Sequence, residues 1–403
     1  MPKQGINFEN VKKSNRSAIL KLLNNRGPMS RKDIAVAVGL TPASVTMICS
    51  DLLEEGIITE IGEAQEAGRV GRKKILVSLN SEYRYVFCVG IESEETYISI
   101  TDLMGKVIKS TSLITDASMD PENFLSKIAD NFKALMWESD FSKDQILGVG
   151  VSIPGKVDCD NGISINTYSI WDRPVNVTDV LSNELGLPVF LDNNLKAYAL
   201  SELFFGTGRT KENLLVLKWG PGVGSSIVVN QSIYQGAHGN AAEVGHMIKS
   251  STGKKCKCGR RGCLQTEIAT HAIIETVINE YGTTEEGHKE MPLLDAWLKE
   301  GNEITYQNTE VWCGIQDKKL QDILDEKVEC IIHAAVNIAT MLDPNRIVVF
   351  GYLFDAPGLY ERFMKKYLEL DPTRNESFIV KSTLPQKQYH TEALSIVLDR
   401  LFY

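Results

Sequence analysis

The 403-residue sequence has no apolar run long enough to cross a membrane. Its first residues, Met1-Pro2-Lys3-Gln4-Gly5, lack the basic and apolar blocks of a secretory leader. Both absences lead us to expect a cytoplasmic protein with no membrane partner. A paired cysteine framework is also missing. Of the 8 cysteines, Cys49, Cys88, Cys159, Cys313 and Cys330 are scattered among apolar neighbours and odd in number. They read as free thiols in a reducing compartment. Positive charge is short as well, with a net −9. The deficit is uneven: residues 1–80 hold 12 Lys+Arg against 8 Asp+Glu, and the remainder holds 31 against 44. An acidic body with a basic leading segment leaves only that segment suited to a polyanion.

The leading segment is what is present in place of those features. Asn10 to Asn25 has helical spacing, with Val11, Ala18, Ile19, Leu22 and Leu23 on one face, and Gly27-Pro28 ends it. Ser30 is placed to cap a second helix over Arg31 to Val38, which Gly39 stops. Thr41 caps a third, with Pro42 at its first position and Gly56 beyond its end. Val45, Ile48, Leu52 and Leu53 form its apolar stripe, and Ala43, Ser44, Thr46 and Met47 face elsewhere. Two short helices joined by a Gly-containing turn predict a helix-turn-helix, whose second helix enters the DNA major groove by its N-terminal end. Ile57–Ile61 and Ile75–Leu79 then alternate as a hairpin, the wing. Its tip, Gly68-Arg69-Val70-Gly71-Arg72-Lys73-Lys74, carries 4 cations suited to phosphates or a narrow minor groove. A three-helix unit can also be a protein-binding or dimerisation module. The basic wing and the small polar residues opening the third helix argue against that.

From Tyr85 onward, strands alternate with helices. Val86–Ile91, Tyr97–Asp102, Val107-Ile108, Ile146–Ile153 and Pro188–Leu191 read as strands, with helices over Phe124–Trp137, Val177–Leu185 and from Leu195. Further strands at Asn213–Lys218, Ser225–Val229 and Arg346–Gly351 are set among helices near Thr270–Tyr281, Leu324–Met341 and from Thr391. This is an α/β body with mixed sheets, in which a ligand is expected between lobes where strand ends meet.

Cys256, Cys258 and Cys263 fall within a glycine-bearing knuckle, ten residues or more after His246. Thiolate and imidazole are the preferred ligands of structural zinc. Lys257, Arg260 and Arg261 offset thiolate charge. A disulfide is disfavoured, because a bridge across one residue is strained and three cysteines leave one unpaired.

The stretch Glu243-Val244-Gly245-His246, followed by Cys256-x-Cys258-Gly-x-x-Gly-Cys263-Leu264, resembles the signature of the ROK family of repressors, open reading frames and sugar kinases. Ser30-Arg31 through Ala35, Pro42-Ala43-Ser44-Val45-Thr46 and the wing are similar to the winged helix-turn-helix of ROK repressors. The resemblance implies a two-lobed actin-like ATPase, or ROK sugar-kinase, fold over residues 83–403, preceded by a winged helix-turn-helix over 1–82. Lobe one would span about 83–194 plus the C-terminal helix, and lobe two about 195–385. It implies structural Zn²⁺ on His246, Cys256, Cys258 and Cys263. It implies sugar contacts from Asn193, Asn194, Glu243, His246 and Gln265, the last standing where the family has glutamate. DNA contacts would come from Arg31, Pro42, Ala43, Ser44, Thr46, Arg69, Arg72 and Lys73.

Three departures from the family's kinase pattern argue against phosphoryl transfer. The first phosphate loop, Asp-x-Gly-x-Thr, is here Glu92-Ser93-Glu94-Glu95-Thr96. The second, Gly-Thr-Gly-x-Gly, is Gly220-Pro221-Gly222-Val223-Gly224, which lacks a hydroxyl and a backbone donor. The catalytic aspartate position is Asn194, and a neutral amide cannot accept a proton. The expected function is a sugar-responsive transcriptional repressor, not an enzyme, acting on a double-stranded operator as a homodimer or homotetramer. An active sugar kinase with an appended DNA-binding domain is the alternative, and a body that binds a protein partner is a third.

Overall fold

The computed structural model describes residues 8–63, 74–139, 141–167, 169–282, 285–385 and 389–403. The chain opens with helix α1 (Phe8–Arg26) and a short strand β1 (Met29–Ser30). Ser30 Oγ accepts the Asp33 amide at 3.2 Å and donates to the Asp33 carboxylate at 2.6 Å. This fixes the start of α2 (Arg31–Val38), which ends where Gly39 turns to φ 71°. Thr41 accepts the Ser44 amide at 3.2 Å and Pro42 takes the first position of α3 (Pro42–Glu54). The two helices are bent by 117° to one another, the angle of a helix-turn-helix. Strands β2 (Ile58–Glu63) and β3 (Ile75–Leu79) complete an antiparallel sheet in the order β1-β3-β2.

The expected apolar face of α1 requires a correction. Ile19 and Leu23 are buried, but so are Leu20 and Asn24, whereas Val11 (41% exposed) and Ala18 face outward. Helix α1 packs on both the wing strand β3 and the body helix α6, and its buried residues lie in its C-terminal half, whereas Val11 stays exposed. On α3 the interior side is Val45, Ile48, Cys49 and Leu52, with Leu53 half-buried.

By its internal contacts the chain forms two compact units, one ending at Phe205 and including the C-terminal helix, the other beginning at Gly206. In the first, β4 (Tyr85–Ile91), β5 (Glu95–Thr101), β6 (Val107–Ile114), α4 (Pro121–Trp137) and β7 (Ile146–Ile153) come first. A small sheet of β8 (Lys156–Asp158), β9 (Ile163–Asn166) and β10 (Val175–Asn176) follows, then α5 (Val177–Leu185), β11 (Val189–Asn193) and α6 (Asn194–Phe204). The main sheet runs β11-β7-β4-β5-β6, with β11, β7 and β4 parallel and β5 and β6 antiparallel.

The second unit holds β12 (Leu214–Trp219), β13 (Val223–Val229), β14 (Ser232–Ile233), α7 (Gln265–Ile268), α8 (Thr270–Gly282), α9 (Glu285–Glu290), α10 (Pro292–Lys299) and α11 (Thr309–Trp312). After these come the long α12 (Lys318–Leu342), β15 (Arg346–Phe350), α13 (Tyr352–Asp355), α14 (Leu359–Leu370) and β16 (Ile379–Lys381). Its sheet, β14-β13-β12-β15-β16, repeats the rule of the first: a central strand with two antiparallel neighbours on one side and two parallel ones on the other.

The last helix, α15 (Tyr389–Val397), returns to the first sheet. It lies so close to β4 and β7 that a Cβ at Gly150 would stand 1.9 Å from the Ala393 carbonyl oxygen, and one at Gly90 would stand 2.3 Å from Tyr389 Cβ. Helix α6 packs alongside α15 and is interior, with every residue from Asn194 to Phe204 buried except Leu195.

Candidate DNA-binding surface and ligand sites

The N-terminal end of α3 presents Pro42, Ala43 and Thr46 to solvent with Ser44 half-exposed. Their polar atoms are positioned by the cap. Thr41 Oγ1 and Ser44 Oγ lie 2.9 Å apart, and Thr46 Oγ1 donates to the Pro42 carbonyl at 2.8 Å. Met47, exposed by 53%, adds an apolar contact to the same turn. Arg31 extends its guanidinium to Glu60 on β2 at 2.7 Å, so its charge is shared with the wing sheet. Lys74 stands 3.4 Å from the Asp33 carboxylate. Arg69, Arg72 and Lys73 lie outside the described residues.

The sulfur-rich knuckle forms one cluster. The donor atoms of His246, Cys256, Cys258 and Cys263 all lie within 4.8 Å of one another. Cys256 Sγ is 3.6 Å from His246 Nδ1, and Cys258 Sγ is 3.6 Å from Cys263 Sγ. A tetrahedral ion with metal–sulfur bonds of about 2.3 Å has ligand–ligand edges of roughly 3.7 Å. Isolated bridges Ile248–Cys263 and Lys255–Arg261 hold the loop. Gly262 is required here: its φ is 67°, and a Cβ would fall 1.5 Å from the Ser250 carbonyl oxygen. Burial raises the Cys263 thiol to about 12. At Cys258 burial acts upward too, but the Arg260 backbone amide and the neighbouring sulfurs outweigh it and the net direction is down. Burial, then the charge of Arg260, lowers His246 and keeps its imidazole neutral. Gln265 Nε2 donates to Cys256 Sγ at 3.2 Å. Soft donors, tetrahedral spacing and an outer amide on a sulfur fit a structural metal. No catalytic coordination position is implied, since protein supplies all four donors.

His246 turns its second nitrogen the other way: Nε2 is 3.8 Å from Glu243 Oε2. The strand before this turn is tied to it by Ser225 Oγ, which donates to the Ala242 carbonyl at 2.6 Å, Ala242 itself sitting at φ 67°. Glu243 and His246 are therefore brought together, and Gln265 belongs to the sulfur cluster through its amide nitrogen.

In the first unit, β11 runs directly into α6 at Asn193 and Asn194. Asn193 is committed at both ends. Its Oδ1 accepts the amides of Leu195 and Lys196 at 2.9 and 3.3 Å, and its Nδ2 donates to the Gly155 carbonyl at 2.7 Å. The helix-cap role is thus fulfilled in full. Asn194 is buried and donates from Nδ2 to Glu92 Oε1 at 3.1 Å. The adjoining carboxyl, Asp192, is buried and raised by desolvation, opposed by Lys196. Glu92 was not among the expected site residues. The signal available for it was the glycine-free acidic loop Glu92–Glu95, read above only as a lost phosphate loop. In the second such loop, the Gly220 amide donates to the Gly222 carbonyl at 3.2 Å, and the Thr270 amide donates to the Gly220 carbonyl at 2.9 Å. One loop donor is thus used internally and Pro221 has none to offer.

Among the described residues no single helix is long and apolar enough to cross a membrane. A bent helix-turn-helix with a wing, followed by two topologically repeated mixed sheets and a Cys₃His knuckle, defines the class: a DNA-binding domain fused to a kinase-like body. The chain belongs to the ROK family, whose profile matches residues 86–399, and a winged helix-turn-helix DNA-binding profile matches residues 13–59. It is 28% identical to the xylose repressor of Bacillus subtilis strain 168 over 271 residues, 66% of this chain and 68% of that one. It is also 28% identical to the DNA-binding transcriptional dual regulator NagC of Escherichia coli K12 over 364 residues, covering 87% and 83%. A crystal structure of a ROK family transcriptional regulator, a homolog of the E. coli MLC protein, superposes with a TM-score of 0.79 at 22% identity, covering 97% and 96% of the two chains.

Proposed function

We propose that this protein is a sugar-responsive repressor of carbohydrate-utilisation genes, with DNA held by residues 1–82 and the effector by residues 83–403. The observation that carries the reading is Asn194: at the family's base position stands an amide that donates to Glu92, in a chain that begins with a winged helix-turn-helix. A neutral carboxamide, its nitrogen donating to Glu92, is not basic enough to take a proton and does not serve as a general base. The altered phosphate loops support the same conclusion, so the body binds sugar without phosphorylating it.

Asn194, Glu243 and His246 are the effector contacts. Asn193 supports Asn194 by capping its helix, and Gln265 acts through the knuckle. Zinc occupies the Cys₃His set and fixes the turn that carries Glu243. The operator is pseudo-palindromic and is read by a homodimer or homotetramer in the cytoplasm. Ser44 and Thr46 lie near bases, and Arg69, Arg72 and Lys73 lie on phosphates or in the minor groove. A gel-shift titration of the full chain on its own promoter, with and without sugars, tests the reading. Neutralising Arg69 and Arg72 together should lower the log–log salt slope by about 1.8 if each meets one phosphate. ATP turnover with any common hexose or pentose, or undiminished operator binding after removal of residues 1–80, would refute it.

A further inference from the structure

We propose that Glu92 selects the effector by charge, so that the site takes an unphosphorylated sugar and rejects its phosphate ester. The inference rests on the reading of Asn194 as an effector contact. Asn194 is 9% exposed, and its Nδ2 is spent on Glu92 Oε1 at 3.1 Å. Among the described residues its Oδ1 accepts no hydrogen bond, and Glu92 forms no ion pair. The pair therefore offers a ligand only acceptors: the Asn194 carbonyl oxygen and the Glu92 carboxylate. A sugar hydroxyl carries the donor such a site requires. A phosphate monoester at neutral pH brings acceptor oxygens and negative charge, and it would meet a carboxylate in a partly desolvated corner.

Among the described residues, no ion pair brings a compensating cation to Glu92. Lys196, the one cation of α6, is buried and its charge acts on the Asp192 carboxylate. The β4–β5 turn carries further acidic residues at Glu94 and Glu95, the latter accepting from Ser112 Oγ on β6, and it is closed by the Glu92 amide on the Glu95 carbonyl at 3.2 Å. Discrimination against a charged competitor by an unpaired like charge is a recurrent specificity device.

The test is a thermal-shift and calorimetric titration of the full chain with D-xylose, D-glucose and N-acetyl-D-glucosamine, each beside its terminal phosphate ester. At least one free sugar should bind, and its ester should bind at least tenfold more weakly. Glu92→Gln keeps an acceptor for Asn194 while removing the charge. It should shrink the discrimination, read as the ratio of ester to free-sugar dissociation constants within each variant, at least fivefold. Glu92→Asp, which keeps the charge, should preserve the discrimination and guards against a variant that fails to fold. An ester that binds wild type as tightly as its free sugar overturns the role of Glu92 and leaves the effector reading standing. So does discrimination unchanged in Glu92→Gln. If neither the free sugars nor their esters bind, the effector reading falls and this inference falls with it.

Discussion

The two polar centres of the body are built in opposite ways. The knuckle draws its four donors from His246 to Cys263, a single short loop folded back by glycines. The Asn194 corner joins residues 102 positions apart, and they meet only because β4 and β11 flank β7 in one sheet. The first is a local object whose four donors, gathered within one loop, could hold an ion. The second is an outcome of strand order and needs the whole first unit to be folded. A local site can be recognised by spacing, whereas a non-local one is recognised only after the sheet is known.

This contrast can be broken experimentally, and the largest effect is expected at the knuckle. Cys258→Ala should abolish stoichiometric zinc in elemental analysis and destabilise the loop by several kcal/mol, toward the roughly 10 kcal/mol scale of structural zinc sites. A variant with full metal content and unchanged melting would remove the claim that an ion organises this centre. Next comes the packing that creates the non-local corner. Gly150→Ala drives a methyl into the Ala393 carbonyl, where backbone and not a flexible side chain must give way. We expect a loss of about 3 kcal/mol in denaturant unfolding, and a loss below 0.5 kcal/mol on the same scale would show that α15 yields freely.

A smaller effect is expected where the DNA-binding domain meets the body. Asn24 Nδ2 donates to the Phe204 carbonyl at the end of α6 at 2.7 Å, while Asn24 Oδ1 is buried with no partner among the described residues. Asn24→Ala strands the carbonyl but also removes the unpaired oxygen. The two partly offset, so the expected cost is about 1–2 kcal/mol. Unfolding of the variant in two separated steps would show that this contact couples the domain to the body.

The smallest effect is at the surface. Arg173 reaches Glu122 and Asp120 at the start of α4, and the hydrogen bonds from Arg173 hold the Glu122 carboxyl down at about 2. The folded-state value is depressed, so the contribution is present above the ordinary value of 4.5 and is lost as pH falls toward 2. Both partners are largely solvent-exposed, so Glu122→Gln should change stability by less than about 1 kcal/mol at pH 7. The difference from wild type should close between pH 4.5 and 2 in acid titrations followed by circular dichroism.

What the sequence determined by itself was everything set by neighbours along the chain. The caps at Ser30 and Thr41, Pro42 at the head of α3 and the stop at Gly39 each act within four residues, so α2 and α3 begin and end where their residues dictate. The strand Ile146–Ile153 and the helix Val177–Leu185 stand where their apolar patterns put them, and the Cys₃His spacing was legible for the same reason. Tertiary structure decided what depends on which surfaces meet. It buried Leu20 and Asn24 in place of Val11 and Ala18, because α1 is covered on two sides by elements distant in sequence. It formed β1 from two residues too few to show any period, through pairing with β3. It turned Glu92 from one member of an acidic loop into the partner of Asn194, because a parallel sheet aligns strand ends that no local pattern relates.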